Sequence, residues 1–357
     1  MNKDFSPEKR IAVMKILLIG GSGFIGQFTA QQLQQGGHHV TIFHRGKTRA
    51  PEGTEEILGD HNFLQDHQPE FRRQKFDVVV DFVLSSGRQA LQLMDTFRGV
   101  AGRVVALSSM DVYRAWGVFY NSEAGGLQEL PLTEDSELRT SRNTYPPEAL
   151  KRAQSVYGWI DEEYDKVPVE QAVLGDPRLP GTVLRLPMIY GPGDPVHRFH
   201  PILKRMDDGR KQIIFADDVA PLRTPRGYVE DVGSAVALAA TSPQAAGRVY
   251  NVCEDESFSE LDWARKIAAA TNWSGEIVVL PHDRTPKHLL WPGNTAQHVV
   301  ATSERIRKEL GYRELLPREE AIRRTIEWER ANPPAAAPAQ YDYAAEDAAL
   351  AQFKATA

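Results

Sequence analysis

The chain has a single cysteine, Cys253, so no internal disulfide holds it together. Cys/His groupings of metal-ligating spacing are missing as well, and no metal is expected. This composition fits a reducing compartment and a cytoplasmic location; Cys253 itself reads as a small core residue beside a strand. Long hydrophobic runs are absent. The longest, such as Ile16 to Ile19 and Val78 to Val80, fall far short of the ~20 residues that span a bilayer. The first thirteen residues are polar and of mixed charge, unlike a signal peptide. Excess positive charge is lacking too: a net charge of −6 over 357 residues gives no general attraction to phosphate backbones, so no nucleic-acid or membrane partner is expected. With 41% hydrophobic and 25% charged residues, what remains is an ordinary globular chain, long enough for one large α/β core or two coupled domains.

What is present is alternation. Short β-branched runs at 15–19, 39–43, 56–58, 78–82, 103–108 and 182–186 alternate with longer amphipathic stretches, the pattern of a parallel sheet covered by helices. A helix over 24–35, stopped by Gly36-Gly37, completes the first βαβ unit. The expected fold is therefore α/β, a doubly wound Rossmann-type parallel sheet. Residues 1–13 read as an extension, disordered before Ile11, and 14–186 as the dinucleotide-binding domain. Residues 187–332 read as a smaller α/β substrate-binding domain, some of whose strands and helices return to the first. It carries expected helices at 201–207, 232–240 and 260–270 and a strand at 249–252. Residues 333–357, opening Pro333-Pro334-Ala335-Ala336-Ala337-Pro338, read as a low-complexity tail.

Between the first strand and helix lies Gly20-Gly21-Ser22-Gly23-Phe24-Ile25-Gly26. A glycine loop in this context permits a tight turn, close approach of a pyrophosphate to the backbone, and a helix–strand contact. The helix N-terminus then presents N–H groups and a positive dipole end to the phosphates. Gly20, Ser22, Gly23, Phe24, Ile25 and Gly26 are thus expected at a nicotinamide dinucleotide. At the end of the second strand an acid would bond the ribose hydroxyls of NAD, whereas an arginine accepts the 2′-phosphate of NADP. The chain reads Phe43-His44-Arg45-Gly46 there, with no acid, and Arg45 favours NADP, with NAD as the alternative. Asp60, after the third strand, is expected either at the adenine amino group or as a loop carboxylate without a ligand.

Further motifs follow in order: Ser108-Ser109-Met110-Asp111-Val112-Tyr113, Lys166-Val167-Pro168-Val169-Glu170-Gln171, Arg185-Leu186-Pro187-Met188-Ile189-Tyr190-Gly191-Pro192-Gly193, Tyr228-Val229-Glu230-Asp231-Val232 and Arg307-Lys308-Glu309-Leu310-Gly311-Tyr312. Together with the glycine loop they resemble the extended short-chain dehydrogenase/reductase family of NAD-dependent epimerases and dehydratases, over roughly residues 14–330. His44-Arg45-Gly46 and Tyr164-Asp165-Lys166 give it the flavour of an atypical branch that includes chloroplast stem-loop-binding proteins. The resemblance implies Ser109, Tyr164 and Lys166 as the catalytic hydroxyl, the proton-transferring phenol and the cation that tunes it. It further implies Phe82, Val83, Lys166 and Pro187 at the cofactor, and Asp111, Tyr190, Arg223 and Arg226 at the substrate. Family members often pair as homodimers through a four-helix contact.

The resemblance breaks at one point. The family's tyrosine stands one helical turn, four residues, before its lysine; here that position is Glu162. Tyr164 is two residues before Lys166, about 200° around a regular helix. Pro168 would clash with the carbonyl of Tyr164 in an unbroken helix, so the helix is expected to kink or to begin near Lys166. Three readings stand: Tyr164 is the acid/base with altered geometry, Glu162 replaces it, or the step is missing. Tyr145 and Tyr157, in a long insertion between Tyr113 and Lys166, are further candidates or a lid. Thr224 stands where nucleotide-sugar members hold a diphosphate with an arginine, and Leu290-Trp291-Pro292-Gly293 where they keep another. The expected function is hydride transfer at the alcohol or carbonyl of a sugar or related small molecule, as an oxidoreductase or epimerase. The alternative is a catalytically degenerate NAD(P)-binding regulatory or RNA-binding protein.

Overall fold

The computed structural model describes residues 12–142, 145–335 and 341–356. The expected disorder before Ile11 lies outside these residues. Among the described residues eleven strands run in chain order: β1 (Lys15–Ile19), β2 (His39–His44), β3 (Glu55–Leu58), β4 (Val78–Asp81), β5 (Arg103–Ser109), β6 (Gly181–Leu186), β7 (Met188–Tyr190), β8 (Gln212–Ala216), β9 (Arg226–Tyr228), β10 (Val249–Asn251) and β11 (Glu276–Leu280). The α-helices are α1 (Gly26–Gln35), α2 (Gln68–Gln74), α3 (Gly87–Phe97), α4 (Arg114–Phe119), α5 (Pro147–Tyr157), α6 (Lys166–Leu174), α7 (His200–Asp207), α8 (Val229–Thr241), α9 (Glu260–Thr271), α10 (Glu304–Leu310), α11 (Arg318–Ala331) and α12 (Tyr343–Thr356).

Seven strands form one parallel sheet in the order β10-β6-β5-β4-β1-β2-β3. The order reverses between β1 and β4, and a doubly wound sheet opens a crevice at such a switch point, beyond the carboxyl ends of the strands. The near-continuous apolar runs of β1 and β4 follow from helices covering both faces: Ile16, Leu18, Val78 and Val80 face one buried cluster, and Leu17, Ile19 and Val79 the other. The pairs β7–β9 and β8–β11 form two small parallel sheets apart from it.

The chain returns to the main sheet after β6. Strand β10 extends its edge, and α8 lies on α1, where a Cβ at Gly233 would stand 2.9 Å from the Cβ of Phe28. The expected low-complexity tail is corrected: residues 343–356 form α12, docked by charge as well as by Leu350. Glu346 is 1% exposed and meets Arg205 Nε at 3.1 Å and His288 Nε2 at 3.0 Å. Its alanine-rich composition hides this anchorage, because the partners lie on distant elements.

Removing one partner of a buried ion pair strands the other, at a cost of about 3 kcal/mol, whereas an exposed pair contributes below about 1 kcal/mol. Glu346→Ala is therefore expected to lower unfolding free energy far more than Asp347→Ala, whose carboxylate is 60% exposed beside Arg210. Urea unfolding measures both, and equal small losses would mean α12 is not anchored by this pair.

Candidate active site at the carboxyl ends of β4 and β5

The segment before α6 decides the geometry. Asp165 caps the helix, its Oδ1 accepting the Val167 N–H at 3.0 Å and Arg139 Nη2 at 2.6 Å. Helix α6 thus begins at Lys166, as Pro168 requires, and Tyr164 lies in the irregular segment that precedes it. The loop after β4 pins that segment: the Asp165 N–H donates to Ser85 O at 2.9 Å, the Asp161 N–H to Ser85 Oγ at 3.1 Å, and Ser86 Oγ to Asp161 Oδ2 at 2.7 Å. The Lys166 ammonium donates to the carbonyls of Leu84 and Leu107, with Trp159 and Tyr164 rings 5.3 and 5.9 Å from it.

Freed from the helix, the Tyr164 hydroxyl donates to Asp111 Oδ2 at 2.7 Å and also meets the Ser109 hydroxyl. Tyr145, brought in by the insertion, donates to the same Asp111 oxygen at 2.9 Å. Burial, reinforced by the Asp111 charge, holds both phenols well above their ordinary range, so each stays protonated and donates. Ser109 Oγ accepts the Asp111 N–H at 3.1 Å, at the end of β5. Asp111 is 2% exposed, and its Oδ1 is buried without a hydrogen-bond partner among the described residues. A buried acceptor left in this way costs about 1–3 kcal/mol, an expense that a ligand donor would remove. Arg139 steadies the turn from behind, donating to Asp111 O at 2.9 Å.

Ser109, Asp111, Tyr164 and Lys166 therefore come together, joined by Tyr145. Glu162 is exposed on the preceding turn, and Tyr157 is engaged elsewhere, its ring tilted against Trp159 and its hydroxyl bonded to Arg198. At the glycine loop, Gly20 takes φ +75°, and a Cβ there would stand 2.6 Å from Val83. Asp60 caps the turn after β3, accepting the Asn62 N–H. Beside it His61 bonds Asp81, a buried pair that no spacing in the sequence announced. Phe82 is mostly buried and Pro187 half-buried near Gly227.

Two substrate expectations are corrected. Tyr190 is fully buried, stacked on Phe199 and donating to Glu254 at 2.7 Å. Arg226 is buried over the Trp263 ring and paired with Glu260 at 2.7 Å, and Glu260 also accepts from Thr224. Both motifs sit on strands whose side chains turn into the core, an orientation their sequence does not reveal. Arg223 stays exposed.

The sheet order and glycine crossover define a Rossmann-type α/β protein. The chain belongs to the NAD-dependent epimerase/dehydratase family, whose model matches residues 16–253. It is 29% identical over 274 residues to a 2-alkyl-3-oxoalkanoate reductase of Stenotrophomonas maltophilia, covering 72% of this chain and 76% of that one. Its fold is similar to the UDP-glucuronic acid 4-epimerase of Bacillus cereus (TM-score 0.64, 17% identity, 89% and 99% of the two chains). It also resembles the UDP-Glc/GlcNAc 4-epimerase of Campylobacter jejuni (TM-score 0.65, 18% identity, 89% and 99%).

Burial pushes the Lys166 amine down to about 8 from its ordinary 10.5. Below about pH 8 both native and unfolded chains carry the charge, and the full burial cost is present. Between about 8 and 10.5 the unfolded chain binds more protons, so native stability gains as pH rises. Relative to Lys166→Met, the wild type is expected to gain about 1 kcal/mol per pH unit across that window in urea unfolding. A pH-independent difference would count against a buried ammonium.

Proposed function

We propose that the protein is an NADP-preferring oxidoreductase or epimerase that moves a hydride at an alcohol or carbonyl carbon of a small molecule, a sugar or a related compound. The observation that carries this reading is the convergence of the Tyr164 hydroxyl on Ser109 and Asp111 beside Lys166, despite the irregular spacing. The relative in Stenotrophomonas maltophilia, named a reductase, supports it.

The glycine loop fits the dinucleotide. A Cβ at Gly26 would lie 2.5 Å from Gly21 Cα, so glycine is needed there for packing alone. At Gly23 a Cβ would meet only Gly20 O, at 3.4 Å. Internal packing therefore does not demand glycine at 23, and the free flank suits a pyrophosphate at the start of α1. Arg45 is exposed and makes no ion pair among the described residues. Next to it Ser22 Oγ contacts Thr48 Oγ1 at 2.7 Å and His44 Nδ1 at 3.2 Å, a polar floor for a 2′-phosphate. Asp60 has one carboxylate oxygen engaged by Asn62 and would offer the other to the adenine side of the crevice.

When bound, the nicotinamide supplies or accepts the hydride. Ser109 orients the reacting oxygen. Tyr164, kept protonated by burial and Asp111, donates the proton to a forming alkoxide, and Asp111 is placed to receive it in the reverse direction. Lys166 holds positive charge beside the phenol and would hold the nicotinamide ribose of a bound dinucleotide. Two copies would pair along α3 and α6, where Leu91 is 59% exposed. The alternative, an idle dinucleotide carrier or an RNA-binding relative of the chloroplast stem-loop-binding proteins, has no use for a phenol held this way.

Tyr164→Phe is expected to lower turnover by about 10²–10⁴-fold in a spectrophotometric assay over sugars and ketones, with dinucleotide affinity unchanged; undiminished turnover would remove the assignment. Gly23→Val should melt like the wild type yet lose dinucleotide binding, read by nicotinamide fluorescence. Arg45→Ala should weaken NADPH by about tenfold and leave NADH alone; equal effects on both would argue for NAD.

A further inference from the structure

Resting on the hydride-transfer site above, we infer that its substrate carries an apolar arm, alkyl or aryl, laid along an aromatic wall that leads out of the site, and that the site takes no nucleotide diphosphate. The wall is continuous. Ring centroids step from Tyr164 to Tyr145 (5.9 Å), to Tyr120 (5.2 Å), to Phe119 (5.0 Å) and to Trp291 (6.4 Å), with Trp116 stacked on Tyr120 at 6.0 Å. Phe119 is buried, while Trp116, Tyr120, Tyr145, Tyr164 and Trp291 are only half-buried and keep part of their surface for a ligand.

The outer rung is built in. Gly293, at φ +120°, lies so near that a Cβ would fall 2.3 Å from Phe119 O, and the Asn294 N–H donates to that same carbonyl at 2.6 Å. Gln297 Oε1 accepts the Gln128 N–H at 2.7 Å. These bonds fix the Trp291 loop against the end of α4. The inner end is polar: Asp111 binds both tyrosines through Oδ2, and its buried Oδ1 awaits a donor. A substrate hydroxyl at the reacting end would satisfy it.

Charge argues in the same direction. No Lys or Arg among the described residues stacks on the rings from Tyr145 to Trp291. Of the arginines expected at the substrate, Arg226 is neutralised by Glu260 and Arg223 is exposed beside His298; Arg139 is paired with Asp165, and Asp111 adds negative charge at the inner end. A diphosphate needs cations along its path, whereas an apolar arm gains from each methylene taken out of water.

The test uses the full chain saturated with NADP⁺ and titrated calorimetrically with 2-alkanones from 2-butanone to 2-decanone, with UDP-glucose as competitor. Affinity is expected to rise about threefold to fourfold per methylene, with no displacement by UDP-glucose. Trp291→Ala should weaken 2-decanone by about tenfold while 2-butanone is unchanged, and Trp291→Phe should restore most of the loss. Unchanged melting of both variants separates this from misfolding. Affinity independent of chain length, or displacement by UDP-glucose, overturns the inference. Chain-length-dependent binding, with no oxidation of NADPH by the same 2-alkanones in a parallel spectrophotometric assay, upholds the apolar arm and counts against the oxidoreductase reading instead.

Discussion

The buried ammonium of Lys166 is the contact on which the site's geometry depends. It bonds the carbonyls of Leu84, after β4, and Leu107, within β5, from the first residue of α6. The loop after β4, strand β5 and helix α6 are thereby drawn to one point at the carboxyl ends of the strands. Burying a charge is expensive unless it is compensated, and the cost appears as an amine whose proton is held to about 8 rather than 10.5. The two backbone oxygens share the compensation with the surrounding charges of Asp111, Asp81, Glu170 and Asp161, and the ammonium lies 5.9 Å from the centre of the Tyr164 ring.

Beneath this point lies a second, fully internal layer. Arg185 is clamped by Glu170 at 2.8 Å and bonds the Tyr113 hydroxyl, which donates in turn to Asn251; Ser108 also donates to Glu170. These residues come from β5, the turn that follows it, β6, β10 and α6, and a satisfied buried network of this kind makes one arrangement far better than its neighbours. Ser109 and Asp111 stand on its upper edge. The motif Ser108-Ser109-Met110-Asp111-Val112-Tyr113 is thus divided by function: Ser108 and Tyr113 join the floor while Ser109 and Asp111 face the crevice.

Periodicity revealed most of the sheet. Strands fall where β-branched runs stand, and the glycine loop turns where Gly20 and Gly21 allow it, because these properties are local. The start of α6 was legible as well, since Pro168 cannot sit within a helix that includes Tyr164. What resisted reading was orientation. Tyr190 and Arg226 look like site residues in their motifs but face Phe199, Trp263 and Glu260 in the core. Tyr145 is ordinary in sequence, yet its hydroxyl reaches Asp111 across 34 positions. The α12 segment looks featureless, yet Glu346 answers Arg205 from 141 residues away.

The sequence by itself determined the α/β class, the glycine crossover and that the helix around Pro168 must kink or begin near Lys166, because strand period, glycine freedom and the proline ring act within a few residues. Only the tertiary structure decided that Tyr164 and Tyr145 share one oxygen of Asp111, that the other oxygen has no hydrogen-bond partner among the described residues, and that a row of aromatic rings runs from Tyr164 to Trp291. Those outcomes depend on which surfaces the sheet brings together, and no local rule of the chain carries that information.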